Sequence, residues 1–312
     1  MLLRDGADDG ELKLMSRSLK ELRYAMKVFR AYRGKRKVAI FGSARTSEAD
    51  PAYQAAAAFS RKMVLRGWMA ITGGGDGIMK AGQGGAGRAS SFGVAIRLPF
   101  ETTVNEFIEG DPKLIVFRYF FTRKLIFVSQ ADAVVLFPGG FGTQDEGFET
   151  LTLVQTGKAP VVPVVMIDPP GGQYWARWDR FVREQLLHDG LISQEDLNLY
   201  RVTDNVDEAV AHVLHFYRNY HSQRFVRDDL VIRMHRPLNG GQIEALNDQF
   251  GDVVSQGSIE ATDPLNGETA HLDLPRVRFV FTRRNYGRLR QMIDQINDFD
   301  FANHGDQVSA TP

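Results

Sequence analysis

Residues 131–149 read ADAVVLFPGGFGTQDEGFE, and the order of residue types within them decides the fold. The apolar run 133–137 has the pattern of a buried strand. It breaks at Pro138 into Gly139 and Gly140, and Gly142 and Thr143 then open a segment carrying Asp145, Glu146 and Glu149. A strand that delivers a glycine turn to a helix start offers bare backbone N–H groups and the positive end of a helix dipole, which together hold an anion. Glycine is expected there for close backbone approach and for the positive φ angles of an anion nest. The plain alternative is a tight strand-to-helix turn with Thr143 as the N-cap. The acids one turn later favour the first reading. Carboxylates beside a bound phosphate repel it unless they have another task, and chemistry on a sugar is such a task.

Outward from this stretch, strands and helices alternate. Strands are expected at 37–41, 68–71, 92–96, 114–117, 133–137 and, last in the sheet, 161–167. Helices are expected at 51–66, from the glycine loop 73–77 to about 88, and at 119–130, 142–156, 174–188 and 206–220. That alternation is the mark of an α/β protein with a doubly wound parallel sheet, whose ligands bind at the carboxyl ends of strands. Both glycine loops and Ser43 fall at such ends. Residues 11–33 read as one amphipathic helix after a frayed start. Beyond about 220 the texture changes to strands at 229–234, 257–260 and 277–281 and helices at 241–250 and 286–299, a small α+β appendage with a disordered tail from 304. The expected divisions are an N-terminal helical extension at 1–34, a main domain at 35–222 and the appendage at 223–312.

Composition narrows the function. The 312 residues carry 38 Lys plus Arg against 38 Asp plus Glu, so no global field draws the chain to nucleic acid or to an anionic membrane. With no cysteine, disulfides and thiolate metal sites are excluded, which fits a reducing compartment. The start MLLRDGADDGELK lacks a signal-peptide pattern, and no apolar run reaches the roughly 20 residues of a membrane span. A cytoplasmic protein is expected. None of the seven histidines has metal-ligand spacing, and no cofactor is called for. The arginines at 276, 278, 283, 284, 288 and 290 read as a solvated face, with a phosphate-bearing effector as the sharper alternative.

Several residues carry candidate chemistry. Gly139, Gly140, Gly142 and Thr143 are expected to bind a phosphate, with Ser43 and the loop Gly73, Gly74 and Gly75 as further substrate contacts. Glu146 is the candidate catalytic carboxylate, because a sugar reacting at its anomeric carbon passes through an oxocarbenium-like cation that a carboxylate stabilises. Its plain alternative is an acid in the first turn of a helix, which suits Asp145 better. Glu149, on the same face, either holds a ribose hydroxyl or continues that face. Arg123 lies in the otherwise apolar FRYFFTRKLIF, where a cation is costly without a partner such as Glu146 or a phosphate. Lys124 is a further substrate-binding candidate, or it faces water or caps a carboxylate. Asp76 is a helix N-cap or a ligand, and Arg97 with Glu101 either reaches a base or ribose or forms a loop ion pair. The acid that a dinucleotide site needs about 20 residues after its glycine loop is missing, and nothing marks a Schiff-base lysine of the kind a decarboxylase requires.

PGGFGTQDE, with Phe41-Gly42-Ser43, the run TGGGDGIM at 72–79 and the pair Arg123 and Lys124, resembles the LOG (Lonely Guy) family over about 37–220. The likeness is to its longer bacterial branch, and Gln144 stands where the family usually has Leu. Phe120 and Phe121 stand where plant-type members have Met-His. The resemblance implies a Rossmann-like fold and a nucleoside 5′-monophosphate phosphoribohydrolase with Arg123 as its catalytic arginine. It also implies a homodimer or larger homo-oligomer and a purine, AMP-like substrate. A non-catalytic nucleotide sensor or ligand carrier on the same fold is the alternative, and a single-stranded nucleic-acid handler is weaker.

Overall fold

The computed structural model describes residues 6–98 and 104–301. Seven strands form one sheet: β1 (Lys37–Phe41), β2 (Met69–Thr72), β3 (Ser91–Ile96), β4 (Leu114–Phe117), β5 (Ala133–Leu136), β6 (Val164–Ile167) and β7 (Tyr200–Thr203). Their order is β4-β3-β2-β1-β5-β6-β7, and every neighbouring pair is parallel. β1, β2, β5 and β6 are buried at every position, as happens when helices cover both faces of a parallel sheet. The fold is α/β, Rossmann-like and doubly wound.

The chain steps outward from β1 to β4, then returns to the other side of β1 with β5. The switch point therefore lies between β1 and β5, where ligands bind in such sheets. The register pairs Phe41 with Leu136, so the loops after these strands leave the sheet side by side. They stay tied: Phe137 N donates to Phe41 O at 2.8 Å and Ser43 N to Pro138 O at 3.1 Å.

Helix starts follow local capping rules. α1 (Asp9–Arg30) opens on a capping box between Asp8 and Glu11. α2 (Pro51–Leu65) opens on Asp50 with Pro51 at its first position, where a missing N–H costs nothing. α4 (Phe120–Gln130) has no such cap of its own at Tyr119. Glu21 of α1 serves instead, accepting from Arg118 N at 2.9 Å and Thr122 Oγ1 at 2.6 Å. The N-terminal helix thereby holds the start of the helix that carries Arg123, with Phe29 stacked on Phe92 at 4.3 Å.

Two compact units emerge. The first runs through Leu153 and includes Val162–Leu191 and Tyr200–Ala211; the second comprises Val154–Val161, Ile192–Leu199 and the chain from His212. Within the second, β8 (Tyr220–Val226), β9 (Asp229–Met234), β10 (Val254–Ala261) and β11 (Arg276–Phe281) form a sheet in the order β10-β11-β9-β8. Its pairs are antiparallel.

Three sequence expectations need correction. The sheet does not end at 161–167, because Tyr200–Thr203 adds a seventh strand. The helix expected over 206–220 stops at Phe216, and Tyr220–Val226 is a strand. The arginine cluster is not one solvated face. Arg276 and Arg290 are buried, the first bonded to Glu268 at 2.8 Å and the second to Asp294 at 3.0 Å. The expected tail from 304 and Glu101 lie outside the described residues.

Candidate functional site

β5 hands the chain through Pro138 to Gly139 and Gly140, and α5 (Phe141–Gln155) begins at once. Thr143 N and Gln144 N fold back onto Gly140 O at 3.0 and 3.1 Å. Among the described residues, the N–H groups of Phe141 and Gly142 meet no backbone carbonyl, so they point their partial positive charge outward. One expectation is corrected here: Gly139, Gly140 and Gly142 all have ordinary φ angles. Close packing explains the first, since a Cβ on Gly139 would lie 2.1 Å from Thr143 Oγ1 and 3.0 Å from Ser43 N. Gly140 and Gly142 face open space, which leaves their backbone uncovered. Thr143 is the third residue of α5 and is buried, so it is not an N-cap.

These groups border a cleft of about 800 Å³ at the carboxyl ends of β1 and β5. Glu146, one turn beyond Gly142, and Arg123 from α4 border the same cleft. Arg123 Nη1 lies 3.6 Å from Glu146 Oε1. Its Nε donates to Val94 O at 2.8 Å, and its guanidinium lies 5.0 Å from the Phe127 ring centroid. The buried cation expected from sequence is therefore partnered. Burial pushes the Glu146 carboxyl above the ordinary carboxylate range, more strongly than Arg123 and then Lys124 pull it down.

The other candidates divide. Ser43 borders the cleft, and its Oγ accepts from Arg45 N at 3.1 Å. Lys124 and Glu149 do not border it. Lys124 Nζ sits 2.8 Å from both Asp145 and Glu149. Against burial, these two bonds hold Lys124 above its ordinary value.

Gly73, Gly74 and Gly75 are also off the cleft wall. Asn105 ties their loop by donating to Gly74 O at 3.1 Å and Gly75 O at 2.8 Å. A Cβ on Gly73 would lie 2.9 Å from Arg123 Nη2 and 2.5 Å from Met79 Sδ, so this glycine makes room for the guanidinium. Asp76 neither borders the cleft nor caps α3 (Ile78–Ala86), which starts from Gly77 without a side-chain cap. Arg97 is likewise off the wall. Among the described residues, no group of three or more His, Asp or Glu is arranged for a metal.

Sequence reasoning missed Arg45, Phe141 and Tyr174 on the cleft wall; of the pair Phe120 and Phe121 singled out in the sequence, Phe120 borders the cleft. Arg45 had a signal: it is the first cation after the β1 strand, and among the described residues its side chain meets no carboxylate. Tyr174 had none, because its partners are remote in sequence. Its hydroxyl donates to Gly139 O and accepts from Gln144 Nε2 at 2.6 Å, which gives Gln144 a structural partner.

A family model described as "Possible lysine decarboxylase" matches residues 76–213. A cytokinin riboside 5′-monophosphate phosphoribohydrolase of Mycobacterium tuberculosis is 30% identical over 176 residues, covering 55% of this chain and 90% of that protein. The protein of the same name from Mycobacterium marinum is 27% identical over 50% of this chain and 81% of that one. Among solved structures, the molybdenum cofactor carrier protein of Chlamydomonas reinhardtii overlaps 58% of this chain and 96% of its own at 21% identity and a TM-score of 0.42. At that score the overlap supports no conclusion about function.

Proposed function

Because this chain belongs to the LOG (Lonely Guy) family, we propose that it hydrolyses the N-glycosidic bond of nucleoside 5′-monophosphates, purine nucleotides such as AMP foremost. The products are the free base and ribose 5-phosphate. One observation carries the reading: an open helix N-terminus and a buried carboxylate beside a guanidinium border the same cleft.

In this reading the N–H groups at the start of α5 hold the phosphate, and Arg45 supplies counter-charge that Arg123 and Lys124, already paired with acids, do not. The C1′–N bond breaks with its electron pair leaving on the base, which takes up a proton from solvent that Glu146 restores when it gives up the proton it receives from the attacking water. The Glu146 carboxylate stabilises the ribosyl cation, and water adds to C1′ as its proton passes to Glu146. Arg123 orients the carboxylate and contacts the substrate. No metal or organic cofactor enters this scheme. Among the described residues no lysine borders the cleft, which disfavours a decarboxylase acting through a lysine Schiff base.

A homodimer in a cytoplasmic setting belongs to the same proposal. Its support is an apolar surface on α1 and α4, where Leu19, Phe121 and Leu125 are exposed. Among the described residues no helix is long and apolar enough to cross a membrane. The test is incubation with a panel of nucleoside monophosphates, with released base read by chromatography, for the natural protein and Glu146→Gln. Tight nucleotide binding with no base released from any member would replace the hydrolase by a nucleotide sensor. Undiminished release by Glu146→Gln would remove Glu146 from the mechanism.

A further inference from the structure

The cleft wall has two chemical halves. In the polar half, side chains are already engaged: Gln144 with Tyr174, Asp145 with Lys124 and Glu146 with Arg123. The nearby carbonyls are engaged too, Ser43 O by Ile78 N at 3.0 Å and Gly139 O by Tyr174. What stays open among the described residues is Arg45, a cation with no acceptor, together with the Ser43 and Thr143 hydroxyls and the Phe141 and Gly142 N–H groups at the glycine turn. Arg45 stands two residues after Ser43, whose N–H lies beside the glycine turn, so its charge is on the side of the cleft where the proposed function seats the phosphate.

The other half is aromatic. Phe120 is 52% exposed and Phe141 is 96% exposed, both on the cleft wall. Among the described residues neither ring meets another aromatic ring. Phe121, the other member of the Phe pair, does not border the cleft and stacks on Tyr119 with centroids 5.4 Å apart and planes at 20°. Of the two phenylalanines, only Phe120 is offered to a ligand.

We propose that Phe120, assisted by Phe141, is the platform on which the nucleobase stacks, so that this cleft selects a base by its aromatic face and not by its hydrogen-bonding edge. The inference rests on the nucleotide reading above and gives it a substrate rule. Stacking tolerates every base and rewards the larger ring system. Adenine and guanine have similar faces and differ at edge positions that need a placed donor or acceptor to be told apart. Purine monophosphates are therefore preferred over pyrimidine monophosphates, with AMP and GMP nearly equal.

The test is calorimetric binding of AMP, GMP, UMP, CMP and ribose 5-phosphate to the full chain carrying Glu146→Gln, which keeps the ligands intact. The same titrations are run after adding Phe120→Ala or Phe120→Tyr. Purine nucleotides are expected to bind about tenfold more tightly than pyrimidine nucleotides, as one stacked base contributes. Phe120→Ala removes that advantage and leaves ribose 5-phosphate binding unchanged, and Phe120→Tyr keeps both. AMP and GMP differing by more than about a hundredfold would mean an edge-reading site and overturn the inference. So would a purine preference that survives Phe120→Ala, or a loss of ribose 5-phosphate binding equal to the loss of purine binding. Base release by the natural protein is scored separately. Binding that follows the pattern without turnover sinks the hydrolase and keeps the platform; turnover with an unchanged preference in Phe120→Ala does the reverse.

Discussion

The Arg123 guanidinium stands 3.6 Å from the Glu146 carboxylate, one side chain from α4 and the other from α5. Neither is free to act alone, because each lies in surroundings that disfavour an isolated charge. Glu146→Gln and Arg123→Met are each expected to lower kcat for base release by about a hundred- to thousandfold. The double variant should be little worse than the weaker single one, since groups acting as a unit are not additive. Losses that multiply in the double variant would show that the two residues act independently.

Burial holds the Glu146 carboxyl above the ordinary carboxylate range, and the proposed chemistry needs it ionised. The acid limb of the kcat/KM profile should therefore lie above the ordinary value. Lys124→Gln sharpens the test, because Lys124 lowers that pKa while its partners Asp145 and Glu149 raise it. Removing the ammonium unmasks both acids, so the limb should move to still higher pH. A limb that stays in place would show that another group controls it.

Gly73 lies against the Arg123 guanidinium without bordering the cleft. In Gly73→Ala the new methyl meets Met79 Sδ and Arg123 Nη2, so the guanidinium must shift. The expected result is a kcat reduced by about tenfold or more with ribose 5-phosphate affinity nearly unchanged, since a displacement of about 1 Å is costly in a positioned site. Met79→Ala in the same chain relieves the sulfur contact but not the contact with Arg123, and should restore little.

The parts of the fold visible in the sequence were those with strong local signals. The run 133–137 and its glycine turn are one, and Asp50-Pro51 at the start of α2 is another. β7 and β8 escaped because they carry no apolar run. Arg201 is exposed in the middle of YRVT, and the five central residues of YHSQRFV are all partly exposed. In the site, the glycines at 73–75 were legible as a place of close backbone approach, but not what approaches. In the structure it is a guanidinium at Gly73. Tyr174 over Gly139 and Glu21 at the start of α4 are contacts between remote segments that no periodicity announces.

Glu268 illustrates the same lesson in the second unit. It lies in the segment between β10 and β11, where the sequence offers no strand or helix pattern, yet its side chain is 0% exposed and is shared by Arg233 and Arg276. Its second oxygen also accepts from Leu265 N at 2.9 Å. Burial alone would raise this carboxyl, but Arg233, the Leu265 N–H and Arg276 together hold it below the ordinary range. A carboxyl with a depressed folded pKa contributes stability above its unfolded value and loses it as pH falls through the folded one. Glu268→Ala leaves two buried guanidinium groups without their anion and should cost about 3–5 kcal/mol at neutral pH, read as the urea midpoint of the second unit's transition. The gap between the variant and the natural protein should close as the pH falls below the ordinary carboxylate range. A gap that persists at acid pH would assign the loss to packing and not to charge.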